Sequence, residues 1–208
     1  KAVMTCTLNT PKYRDEWTEE ESVADWGSAP RLLDTLNPTD DAYIDSKNPG
    51  TNYGGLDSLR VRLKNLPTDP TYRTYLKFSL SGVPSEVVKE TKLRLYCSTA
   101  GGGGNTSLYK VADDTWTEGV ITYTNSPPMG ALIGAIPDTN TGWKEIEVGE
   151  YVQEALDASR NHVSFGIKTG NIYEWHYRSK EFDTKDPELL IYAFDTAGVF
   201  KNRINAVY

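Results

Sequence analysis

The sequence predicts an all-β fold: a β-sandwich of the jelly-roll kind with one short helix and an amino-terminal extension. Three observations carry that prediction. Apolar and polar residues alternate in several short runs, most strictly over 58–64. There Leu59, Val61 and Leu63 share one face and Arg60, Arg62 and Lys64 the other. Glycine and proline, 17 and 11 residues, mostly fall between the apolar runs, where turns belong. The 13 tyrosines and the many threonines suit a pleated, half-buried surface better than a helix.

Taken in order, residues 1–38 form the extension. Ala2, Met4, Cys6 and Leu8 alternate as in a half-buried strand, an acidic stretch follows, and Trp26 precedes a Leu32, Leu33 and Leu36 cluster. The sandwich is expected over 39–194. It begins with a strand at 41–45 and a long turn at 48–55, whose glycines can take positive φ. After the 58–64 run and the proline turn at 67–70, residues 73–80 alternate again. Leu76, Phe78 and Leu80 point inward there, and Arg73, Tyr75 and Lys77 outward. Further strands are expected at 92–97, 107–111, 120–123, 143–148, 163–169 and 189–194. Val152, Ala155 and Leu156 recur at helical spacing and mark the one helix, 152–156. Residues 195–208 are left as a tail. Trp116, between an acidic turn and the 120–123 run, is placed to lie across the sheet as a packing lid.

Composition excludes several classes. A net charge of −7 argues against nucleic acid, whose phosphates need a dominant basic face. No apolar stretch reaches the ~20 residues of a membrane span, so no membrane insertion is expected. The chain starts at Lys1 without a signal-peptide core, which fits either a mature secreted form or an excised piece. Cys6 and Cys97 could bridge the amino-terminal strand to the core or remain two buried thiols. A zinc site would need ligands beyond them, and His162 and His176 stand at unrelated spacings. Asn105-Thr106-Ser107 is a glycosylation sequon after the glycine run 101–104.

The cations are unevenly placed for an acidic chain. Arg60, Arg62 and Lys64 share a face, as do Arg73 and Lys77 with Tyr75, and a further cluster gathers Trp175, His176, Tyr177, Arg178 and Lys180. One reading is a groove for an anionic polymer, with guanidinium forks on carboxylates and aromatic rings under sugars. The other is a solvated sheet face whose charges resist edge-to-edge pairing. Catalytic patterns are missing: there is no nucleophile elbow, no HExxH and no phosphate loop, so no enzyme is expected, with a polysaccharide lyase or a glycoside hydrolase built on paired carboxylates as the weaker alternative. No cofactor is required. Asp41, Asp45, Asn52 and Asp57 around the first long turn are candidate ligands for a structural calcium ion, or ordinary Asx-turn caps.

These residues also carry a resemblance. Asp41-Ala42-Tyr43-Ile44, Asn52-Tyr53-Gly54, Leu59-Arg60-Val61 and Arg73-Thr74-Tyr75-Leu76-Lys77-Phe78 resemble the opening of the DNRLRE domain, also described as a family-96 carbohydrate-binding module. Trp116-Thr117-Glu118 through Pro127 is similar to its central signature, and 177–191, with Ser179, Glu181, Pro187 and Leu189, to its closing strand pair. Lys180 stands where the signature prefers Arg, and Tyr123 where it prefers Trp. The resemblance implies a β-sandwich from secreted polysaccharide-active enzymes or cell-surface proteins, including methanogen disaggregatase-related ones, some of which bind alginate. Carried over to this chain, it implies Arg60, Arg62, Arg73, Lys77 and Arg178 as anion contacts, with Tyr75 and Tyr177 under the sugars.

Two functions follow as expectations. One is an extracellular, non-catalytic module for an acidic polysaccharide. The other is a subunit of a surface layer or filament, assembled by strand addition through residues 2–8 or the apolar tail with Val199, Phe200, Ile204, Val207 and Tyr208.

Overall fold

The computed structural model describes residues 31–83 and 90–193. The expected strand at 2–8, Cys6 and the apolar tail therefore lie outside the described residues. Eleven strands and one helix follow in chain order: β1 (Arg31–Leu36), β2 (Pro38–Asp45), β3 (Ser58–Val61), β4 (Tyr72–Ser79), β5 (Glu90–Thr99), β6 (Ser107–Val111), β7 (Leu132–Ala135), β8 (Gly142–Glu147), α1 (Gly149–Asp157), β9 (His162–Lys168), β10 (Trp175–Arg178) and β11 (Glu188–Ala193).

They make two antiparallel sheets. In the first, β5 is central: β8 pairs along one edge, while β11 and then β10 share the other, and β1 and β3 add to β11 and β10. The second runs β2-β4-β9-β6-β7. The faces that meet are the apolar sets fixed by alternation. Leu59, Val61, Leu93, Leu95, Trp175, Tyr177, Leu189 and Ile191 come from one sheet, and Leu76, Phe78, Leu108, Val163, Phe165 and Ile167 from the other, all buried. Burying each such side chain is worth about 1.5–3 kcal/mol, which is what holds two sheets face to face. Helix α1 adds Tyr151, Val152 and Ala155 to this core, and Tyr151 also donates its hydroxyl to the Val111 carbonyl at 2.7 Å.

A second, smaller core lies on the far side of the second sheet. Ala42, Ile44 and Tyr75 point away from the sandwich and are covered by Trp116 and Ile121, with Tyr123 and Met129 packed alongside. Trp116 is thus the lid the sequence indicates, its ring edge-on to Tyr75 at 5.9 Å. Gly166 makes room for this layer, since a Cβ there would lie 2.6 Å from the Met129 methyl.

The segment expected as a strand at 120–123 is instead a pair of turns. Val120 and Ile121 donate backbone N–H groups to the Thr117 carbonyl, and the Asn125 side chain accepts from Thr122 and donates to Val120. With its polar groups already used locally, this stretch takes no ladder partner. Residues 31–36, read as part of the extension, are strand β1, paired from Arg31↔Ala193 to Leu36↔Leu189.

Candidate functional site

Consider first where the sequence-nominated side chains stand. Strands β3 and β4 follow one another but belong to different sheets, joined at their ends by the Arg62↔Tyr72 bridge. Arg60 and Arg73 therefore serve different faces, and the expected cradle spanning both does not form. Arg73 lies over the Tyr123 ring at 5.7 Å, beside the small core.

Tyr75 and Lys77 do point outward from their sheet, yet both are buried beneath the covering segment. Tyr75 donates to the Pro127 carbonyl at 2.8 Å. Lys77 pairs with Asp40 at 3.0 Å, donates to the Trp116 carbonyl and lies 5.0 Å from the Trp116 ring. Burial works against the Asp40 carboxylate. The Glu118 N–H and Lys77 outweigh it and hold Asp40 below the ordinary carboxylate range. Tyr177 is fully inside the main core, its hydroxyl shared with Asp138 and Thr106. Burial, then the Asp138 charge, raises that phenol well above its usual value. These three residues build the molecule rather than touch a ligand.

Of the nominated cations only Lys77 is buried; Arg60, Arg62 and Arg178 meet solvent from the first sheet, and Arg73 does so beside the small core. In the β3–β10 register, Arg60 sits opposite His176 and Ser58 opposite Arg178. Leu59, Val61, Trp175 and Tyr177 take the inward positions, so Ser58, Arg60, His176 and Arg178 form a block facing away from the core. Arg60 reaches over two rings, 5.5 Å from the centre of Tyr43 and 5.8 Å from that of Tyr72. Tyr53 stacks on Tyr43 at 4.5 Å, extending the shelf. Burial, with Tyr53, Tyr72 and Asp45 adding to it against Arg60, pushes the Tyr43 phenol up to about 12.

Glu174 is the acid at the centre. It stands 3.8 Å from Arg60, 3.9 Å from Arg62 and 2.7 Å from His176. Arg62 is further tied to Asp69 at 3.2 Å and to the Ile172 carbonyl. Arg60 is looser: 37% of its side chain is exposed and its ion pair is long. A guanidinium held flat by tyrosines, with N–H groups not closed by a short carboxylate contact, suits an incoming carboxylate. Arg178 lies 3.4 Å from the centre of the Phe182 ring and makes no ion pair among the described residues.

The same outward face continues onto β5 and β8, which sequence reasoning passed over. Tyr96 and Trp143 pair in register with rings edge-on at 5.5 Å, Arg94 lies 4.1 Å from the Trp143 ring, and Lys185 lies 4.0 Å from Tyr96. The signal was legible as the alternation of Lys92, Arg94, Tyr96 and Ser98 along one strand.

The residues named for a calcium site do not converge. Asp45 caps its own turn through Lys47 N–H and the Asn48 amide, as an Asx turn does. Asn52 donates to the Glu118 and Ile121 carbonyls, and Asp57 offers only its carbonyl, to Ser179. Asp41 alone joins an acidic group, with Glu118 and Glu181. Burial above all, then the charges of Glu181 and Glu118, push its carboxyl up to about 8 against the Lys180 N–H. Cys97 is a buried free thiol, pushed up to about 11 by burial and then by the Asp138 charge; Cys6, its expected partner, lies outside the described residues.

The residues of the resemblance meet in one knot. Asn52 bonds to the Glu118 carbonyl at 2.6 Å, Asp41 N–H to the Glu118 carboxylate at 3.2 Å, and Lys180 N–H to Asp41 at 2.8 Å. The Lys180 ammonium pairs with Glu118 at 2.8 Å and Glu181 at 2.5 Å, and Ser179 donates to the Leu56 carbonyl at 2.7 Å. The signature is thus structural, joining β2, the covering segment and the loop after β10.

Among known proteins, a segment of the chain is 25% identical over 166 residues to a gellan lyase of Bacillus sp., a match taking 75% of this chain and only 6% of that protein's length. The model of carbohydrate-binding module family 96 matches residues 33–193, most of the chain and all eleven strands except the first two residues of β1. With its two-sheet architecture and its motif residues gathered in one place, the chain belongs to carbohydrate-binding module family 96.

Proposed function

We propose that this protein is an extracellular, non-catalytic module that binds an acidic polysaccharide, a polyuronate such as alginate, on the outer face of its first sheet. The observation that carries the reading is the Arg60 guanidinium, laid over Tyr43 and Tyr72 with only a 3.8 Å contact to Glu174. A uronate carboxylate approaching there finds a part-exposed guanidinium whose carboxylate contact is long, with Arg178 and His176 in the same outward block. Partly exposed Trp143 and Tyr96 offer apolar surface to sugar rings farther along the face. The opposite face of the sandwich is covered by the Trp116 segment, whereas no described residue outside the first sheet's own strands and loops covers the Arg60 block.

A non-catalytic role is supported by the site's composition. Its central acid, Glu174, is already shared among Arg60, Arg62 and His176, and farther along the face Glu145 and Glu188 are paired with Arg94. The match to a segment of a gellan lyase supports polysaccharide as the partner class.

Affinity electrophoresis in gels carrying alginate, polygalacturonate or a neutral glucan tests the reading. Retardation by the charged polymers, weakening as salt is added, is expected, because the contacts are partly exposed charge pairs. Retardation by the neutral glucan alone, or by none of the three, overturns it.

A further inference from the structure

Asp41, Glu118 and Glu181 come from β2, the covering segment and the loop after β10, yet each places a carboxylate oxygen within 4.8 Å of the others. Two oxygens on one calcium ion, each at about 2.3–2.6 Å, can stand no more than about 5 Å apart, so this spacing suits a shared ion. Asp41 is fully buried. Its Oδ2 accepts the Lys180 N–H, but its Oδ1 has no hydrogen-bond partner, and neither has the buried Oε2 of Glu181. Asp186, in the same loop as Glu181, adds a third buried carboxylate oxygen without a partner, its Oδ1. Buried polar oxygens in native proteins are nearly always satisfied, so several in one region call for a cation. With all three ionised, as ligands of a cation must be, the Lys180 ammonium paired with Glu118 and Glu181 leaves two negative charges for an ion to balance.

We propose that Asp41, Glu118 and Glu181 hold a structural divalent cation, calcium by the chemistry of its ligands. The set is oxygen only, which disfavours zinc, and it joins three separate segments irregularly, which suits calcium's flexible coordination better than magnesium's strict octahedron. The ion acts as a clasp. It ties the covering segment and the loop after β10 onto β2, through residues other than those of the Arg60 block. The competing way to satisfy the orphan oxygens is a single proton shared between Asp41 and Glu181.

Thermal unfolding of the full chain, stripped with EGTA and then titrated with calcium chloride alone, separates the two, with equilibrium dialysis counting bound ions. One ion per chain is expected, and a midpoint rise of ~5–10 °C at a hundredfold excess over Kd. Asp41→Asn mimics the protonated acid. It should keep the calcium-free midpoint and lose the rise, while Asp45→Asn, away from the clasp, keeps the rise. Glu181→Gln serves as a second clasp variant should Asp41→Asn fail to fold. No bound ion in the wild type, or an undiminished rise in both clasp variants, overturns the proposal.

Discussion

Lys77 and Trp116 fasten one another. The ammonium donates to the Trp116 carbonyl and lies 5.0 Å from the indole ring, while Asp40 balances its charge at 3.0 Å. One lysine thereby anchors the segment that covers the second sheet, and two side chains that alternation directs outward become interior.

Removing either partner should loosen this layer. Trp116→Ala empties a buried indole site and should cost about 3–5 kcal/mol in chemical denaturation. Lys77→Ala leaves Asp40 without its counter-charge and should cost about 3 kcal/mol. A loss under about 1 kcal/mol for both would mean the segment is held by other contacts.

Arginines on different faces should behave differently toward a glycan. Arg60→Ala and Arg178→Ala are each expected to weaken polyuronate binding by ~1–3 kcal/mol, the range for a charged hydrogen bond. Arg73→Ala, over Tyr123 beside the covered face, should leave it unchanged. Isothermal titration with a defined oligouronate measures all three, and an Arg73→Ala loss matching that of Arg60→Ala would contradict the assignment of the face.

Alkali should unfold the protein through its buried acids. Tyr177 and Cys97 hold their protons in the folded state at pH values where the unfolded chain has released them. Their stabilising effect is complete below the unfolded values, about 8.5 for the thiol and about 10 for the phenol, and is lost as pH rises. For Cys97 the loss is spent by about pH 11. Each proton so retained steepens the fall by about 1.4 kcal/mol per pH unit. Denaturation at pH 7, 9 and 11, values chosen to bracket about 8.5 and 10, should show this decline. Tyr177→Phe should make it shallower, although the variant starts less stable for want of the Asp138 bond. Equal slopes in the two proteins would argue against it.

Gly54 is required by a close approach. A Cβ there would stand 2.4 Å from the Glu118 carbonyl oxygen, backbone that cannot swing aside. Gly54→Ala should therefore cost about 2 kcal/mol or more, whereas Gly55→Ala, with open space around it, should be close to neutral. Thermal denaturation of the pair compares them directly.

Much of the architecture was legible because alternation is a local property. Leu59 with Val61, Leu76 with Phe78, and Ser107 through Val111 lie in strands as read. The same property says which way a side chain points from its own sheet, and nothing about which sheet that is. Hence Arg60 and Arg73, on consecutive strands, were grouped although β3 and β4 belong to different layers. Nor does it reveal what lies beyond the outward face, and Tyr75 and Lys77 were lost to a cover more than 35 residues away in sequence. Tyr177 is a different lesson. Alternation put it with Trp175, opposite His176 and Arg178, and that side proved to be the core. The acidic knot was out of reach for a simpler reason: Asp41 and Lys180 are 139 residues apart, and only folding brings them together.

Strand β1 opens at Arg31, whose register partner is Ala193, the closing residue of β11. The polypeptide thus enters and leaves this body side by side, at the edge of the sheet farthest from Arg60. A pull applied to these two ends would therefore part β1 from β11 like a zip, one rung at a time, and reach the border that carries Arg60 last.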